Sequence, residues 1–137
     1  MVQFPPEGST VPMTEMLRGE WPNPVAACSG YSYPVGLPVT LQLGSDQQLA
    51  LSSYSFRDET DGRRLEACAF DSATYSNPDP VQQQHGRESL QRYGAVFLIP
   101  REPLKPNHAY KVSLDSSGHN YSWTFTVGSA QSVASNP

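Results

Sequence analysis

A chain of 137 residues with a net charge of −4 and only 16% charged residues fits one domain built on one core and leaves no room for a second. Its 9 Lys and Arg are scattered without a run, which excludes the electrostatic footprint of a nucleic-acid or anionic-membrane partner. With 13 Pro and 10 Gly, long helices are hard to build, because Pro removes a backbone donor and clashes with the preceding turn, so the composition favours short strands and many turns.

Residues 1–36 are rich in Pro and Gly, as in Pro5-Pro6-Glu7-Gly8 and Trp21-Pro22-Asn23-Pro24. They read as a lead-in belonging to the same domain and able to supply an edge strand, where Pro is tolerated. Thr14 to Arg18 allows a helical turn at most. The first residues, Met1 to Pro6, lack the basic start and apolar run of a signal peptide, which fits a mature or excised chain. No stretch approaches the ~20 apolar residues of a membrane span.

A β-sandwich core is expected over 37–128. Val39, Leu41 and Leu43 alternate with Pro38, Thr40 and Gln42, as a half-buried strand requires. Gly44-Ser45-Asp46 supplies turn chemistry, and Leu49 to Phe56 reads as the next strand. Asp61-Gly62, closing the acidic stretch from Asp58, is a strong hairpin signal. Leu65 to Phe70 should therefore return antiparallel to the strand before it. Asp71 to Arg92 is polar and carries Asn77-Pro78-Asp79-Pro80 and three Gln, which predicts a long irregular connection. Ala95 to Ile99 is an apolar run of strand length. Tyr110, Val112 and Leu114 alternate, and Tyr121, Trp123, Phe125 and Val127 alternate again. The polar tail 129–137 is expected to be disordered. The fold class expected is all-β, a Greek-key sandwich of immunoglobulin or fibronectin type III kind with about seven antiparallel strands.

The two cysteines, Cys28 and Cys68, are too far apart for a Cys-x-x-Cys metal site. Two readings stand: a disulfide, expected if the chain matures outside the cytoplasm, or two buried thiols packing as small apolar groups.

Leu104-Lys105-Pro106-Asn107-His108-Ala109-Tyr110 is the most specific local phrase. A Leu, a Pro and a Tyr ahead of an alternating strand suit a tyrosine corner, in which the phenol bonds to backbone a few residues upstream. Pro fixes φ, Asn tolerates unusual backbone angles, and Tyr buries its ring while satisfying its one polar atom.

Together with Phe4-Pro5-Pro6-Glu7-Gly8, Gly19-Glu20-Trp21-Pro22-Asn23-Pro24 and Tyr33-Pro34-Val35, the phrases Ile99 to Pro106, Tyr110-Lys111-Val112 and Trp123 to Thr126 carry a resemblance. The chain resembles the C-terminal immunoglobulin-like β-domain that follows the CAP (SCP-like) domain in bacterial secreted proteins, over most of its length from Phe4 to Val127. The resemblance implies a passenger role without an inherited active site. The two cysteines and the Gln-rich stretch 81–92 depart from that pattern.

No cofactor or metal is expected. The acidic turn from Asp58 to Gly62 lacks the ligand spacing of a calcium loop. His85, His108 and His119 belong to no catalytic phrase. Trp21, Tyr31, Tyr33, Tyr75 and Tyr93 lie outside the best strands and are the candidate ligand contacts, either as a platform for sugar rings or as packing between lead-in and sheet. The expected function is that of a non-catalytic accessory, spacer or protein-interaction domain, secreted or periplasmic. Its partner would be a neighbouring domain or an extracellular protein, with carbohydrate binding as the alternative.

Overall fold

The computed structural model describes residues 1–16, 19–44 and 50–129. The protein is mostly β. A four-stranded antiparallel sheet has the order β1 (Val2–Phe4), β5 (Val39–Gln42), β9 (Ala95–Pro100), β8 (Ala67–Phe70). A five-stranded sheet has the order β2 (Thr10–Val11), β11 (His119–Val127), β10 (Ala109–Ser116), β6 (Leu51–Asp58), β7 (Arg63–Arg64). All its pairs are antiparallel except β2 with β11. A small ribbon joins β3 (Glu15–Met16) to β4 (Val35–Gly36).

Period-two alternation decides how the sheets pack. Val39 and Leu41 of β5 and Val96 and Leu98 of β9 face Phe56, Val112, Leu114, Trp123 and Phe125 of the larger sheet in one core cluster. The opposite face of the smaller sheet is covered too. There Phe70, Ala95 and Ile99 form a second cluster with Val25, Val35, Tyr75 and Leu90. Strand β9 is thus buried on both sides, which is why its sequence is a continuous apolar run and not an alternating one.

The third layer consists of a 3-10 helix, Pro24–Ala27, and an α-helix, α1 (Pro80–Tyr93). The helix corrects the irregular connection expected from Asp71 to Arg92. Asp79 caps its N-terminus by accepting from the Val81 N–H at 2.9 Å, Pro80 stands where no N–H partner is needed, and Gly94 ends it at φ 56°, a left-handed cap. The Asn-Pro-Asp-Pro phrase is a helix start as well as a turn. Only Gly86 and Leu90 of the helix are buried, so it has no apolar stripe to give it away.

Gly86 faces Tyr75 so closely that an added Cβ would overlap the phenol ring. Gly86→Ala should gain about 1 kcal/mol of helix propensity but lose about 1–3 kcal/mol to overpacking. A net fall in the urea midpoint is the expected result, whereas a rise would show that α1 can lift off the sheet freely.

Two further expectations are corrected, and a third is extended. Leu65 to Phe70 does not return along β6: only β7 pairs there, and Ala67–Phe70 crosses to the other sheet beside β9. The segment after Thr14 gives the short strand β3 in place of a helical turn, while Leu17 and Arg18 lie outside the described residues. The lead-in supplies β1 and β2 at the edges of two different sheets. The turn at Ser45-Asp46, the start of the strand at Leu49 and residues 130–137 of the tail lie outside the described residues.

The corner phrase forms as its chemistry demands. The Lys105 N–H donates to the Tyr110 phenol oxygen at 2.7 Å, and Asn107 turns the chain at φ 68°. The Tyr110 ring lies parallel to Phe56 at 5.3 Å, and burial above all raises its pKa, against the Lys105 hydrogen bond. The Trp123 indole donates to the Pro5 carbonyl at 2.9 Å inside the core, tying the lead-in to the last long strand.

Candidate binding groove

Between α1 and the Pro-rich segment 20–24 runs an open groove of about 460 Å³, within the usual size range of ligand sites. Phe70, Ala95 and Phe97 of the smaller sheet form its floor, Leu90 and Ser89 of α1 one side, and Pro22, Pro24 and Pro38 the other. Trp21 and Tyr93 line it while remaining 59% and 52% exposed. Glu20 and Gln42 add polar atoms.

The groove is held open by a hydrogen-bonded hinge. The Asn23 side-chain oxygen accepts from Val25 N–H at 3.1 Å and from the Tyr33 hydroxyl at 2.6 Å. The Asn23 N–H donates to Gln82 of α1 at 2.9 Å. The Tyr75 hydroxyl donates to the Asn23 carbonyl at 2.7 Å and accepts from the Asn77 amide at 3.0 Å. Each buried polar group at this junction thus has a partner, as a rigid support requires.

A disulfide fixes the same wall to the sheet. Cys28 caps the 3-10 helix and Cys68 lies on β8; they are bonded across 40 residues of chain with Cα atoms 5.7 Å apart. Of the two readings left open by the sequence, the structure has the bridge.

The five aromatics singled out in the sequence do not form one platform. Trp21, Tyr75 and Tyr93 line the groove, but Tyr75 is only 2% exposed and acts as a support. Tyr31 and Tyr33 lie on the far side of Asn23 in a shallow separate depression. Arg101 sits 5.0 Å over the Tyr31 ring, pairs with Glu66 at 2.9 Å and donates to the Gly30 carbonyl at 3.1 Å. Burial first, and then the Glu66 charge, push the Tyr31 phenol up to about 12. It is a fixed packing residue. Glu20, Gln42, Ser89 and Leu90 are among the groove residues not legible as such in the sequence; the Asp79-Pro80 cap and the Gly94 stop were the signal for the helix that carries two of them.

The acidic turn closes on itself. Asp58, 1% exposed, accepts from the Asp61 N–H at 2.9 Å and pairs with His108 Nδ1 at 2.8 Å. Asp61 pairs with Lys105 at 3.2 Å. One ligand atom from each of Asp58, Asp61 and His108 falls within 4.8 Å of the others, but these atoms already satisfy one another and Lys105. Burial opposes the Asp58 charge most strongly, yet the hydrogen bonds from Asp61, His108 and Thr60 together outweigh it and hold the carboxyl below its ordinary value. A depressed carboxylate contributes stability above its unfolded pKa of about 3.9 and loses it as pH falls through the lower folded value. Urea midpoints measured from pH 7 to 2 should therefore fall steeply below about pH 4, and Asp58→Asn should flatten part of that fall. Parallel curves for the two proteins would contradict the assignment.

No protein-family model matches this sequence, and no curated protein matches it. Among the described residues no helix is long and apolar enough to cross a membrane.

Proposed function

We propose that this chain is a non-catalytic accessory domain of a bacterial secreted or cell-envelope protein, and that it holds its partner in the groove between α1 and segment 20–24. The observation that carries the reading is the exposure of Trp21 and Tyr93 beside an apolar floor. Large aromatics left wet at the rim of a preformed concavity suit recognition better than packing. Around the groove, the hinge at Asn23 and the bridge from Cys28 to Cys68 supply the rigidity that a binding surface needs. A disulfide also suits an oxidising compartment.

We read the sandwich as an immunoglobulin-like Greek key, the fold expected of a CAP-associated passenger domain. The order β1-β5-β9-β8 against β11-β10-β6 parallels an ABED sheet on a GFC sheet, with the tyrosine corner ahead of the F-equivalent β10. Carbohydrate binding is the second reading, favoured by two exposed rings beside the polar side chains of Gln42 and Ser89.

The test is a nuclear magnetic resonance screen with a library of small aromatic and aliphatic fragments. Fragments should shift the Trp21 indole and the Leu90 and Ala95 amides, and Trp21→Ala combined with Tyr93→Ala should abolish those shifts while sparing the core. Shifts gathered on any other surface would overturn the assignment.

A further inference from the structure

The chemistry of the groove wall is lopsided. Pro22, Pro24 and Pro38 line it with apolar rings and have no backbone N–H to offer. Among the described residues Glu20 is the one charged side chain that lines the groove, with no Lys or Arg beside it there. An acidic occupant would bring its charge beside Glu20, where the nearest basic group among the described residues is the His85 ring against Trp21, with centroids 5.2 Å apart. A neutral sugar could use Glu20, Gln42, Ser89, the Tyr93 phenol and the Trp21 indole through hydroxyls that both donate and accept, but it would leave the Glu20 charge without a counter-charge. A cationic side chain on an apolar stem meets each feature in turn. Its N–H groups donate to Glu20, its charge lies against the exposed indole of Trp21, and its methylenes rest on the proline wall. The whole chain, at −4, also attracts a basic partner over a longer range.

We infer that the groove takes a short basic and apolar peptide segment of a partner protein, anchored by an Arg or Lys side chain against Trp21 and Glu20. The inference rests on the groove being the binding surface. The peptide's neighbouring apolar side chains cover Phe97 and Leu90, and its backbone stays at the open side, where water satisfies it.

The experiment selects random seven-residue peptides displayed on phage against the whole chain, and measures a synthetic consensus peptide by calorimetry with wild type, Glu20→Gln and Trp21→Ala. A consensus with Arg or Lys between apolar residues is expected. Its Kd should rise about ten-fold in Glu20→Gln, the size expected for one charge-assisted hydrogen bond, and more in Trp21→Ala. Both positions are exposed, so neither variant threatens the fold. A neutral or acidic consensus that still needs Trp21 would overturn the basic-peptide inference and leave the groove standing. Oligosaccharide hits on a glycan array that need Trp21 but not Glu20 would do the same. Peptides bound equally by wild type and Trp21→Ala would overturn both.

Discussion

Tyr110→Ala should lose about 3–5 kcal/mol of stability, the range for removing a buried aromatic side chain. The ring is 1% exposed and stacks on both Phe56 and Phe125 at 5.3 and 5.7 Å, so its removal leaves a cavity in the aromatic cluster of the larger sheet. Tyr110→Phe keeps the ring and loses only the hydrogen bond from the Lys105 N–H, at about 0.5–1.5 kcal/mol. Urea titration of the three proteins gives the comparison. A domain of marginal stability should retain its fold in the Phe variant and stand close to unfolding in the Ala variant. Equal midpoints for all three would remove the corner from the account.

Removing the disulfide should have the second largest effect. With the cysteines 40 positions apart in the chain, loop-closure entropy assigns the bridge about 4 kcal/mol, and measured values for native bridges run about 2–5 kcal/mol. The double variant Cys28→Ser, Cys68→Ser should fall by that order in urea, and wild type treated with a reductant should follow it. A local consequence separates this from a general loss of stability. Because Cys28 follows directly on the 3-10 helix at the groove wall, hydrogen exchange should quicken first at Val25 and Cys28 and last in β10 and β11. Uniform quickening would mean that the bridge does not hold the wall in particular.

What the sequence disclosed depended on how many faces of each element are buried. Strands β10 and β11 alternate because one face is core and the other largely wet, and β5 because its second face is only partly covered, so their period was legible. The doubly covered β9 was legible as a strand but gave no hint that a third layer lay behind it. Helix α1 was hidden because only Leu90 and Gly86, the latter against the Tyr75 ring, are buried in it, leaving a polar surface that reads as loop. The crossing of Ala67–Phe70 to the other sheet was hidden for a different reason: Asp-Gly fixes the turn to β7 and says nothing of where the chain goes two residues later. The aromatics divided in the same way. Trp21, Tyr31, Tyr33, Tyr75 and Tyr93 are alike as sequence, and only their partners, such as Asn23 for Tyr75 and Arg101 for Tyr31, distinguish supports from rim.

The most direct test of the binding groove is a set of intermolecular nuclear Overhauser effects between the isotope-labelled chain and the tightest ligand obtained from peptide selection or a glycan array. Contacts are expected from the ligand to the Trp21 indole, the Tyr93 ring and the Leu90 methyls. The polar outer face of the larger sheet offers the contrast, because there Ser53 and Asn120 hydrogen-bond Asp115, and Ser122 hydrogen-bonds Ser113. Ligand contacts to that face, with none to Trp21 or Leu90, would contradict the account.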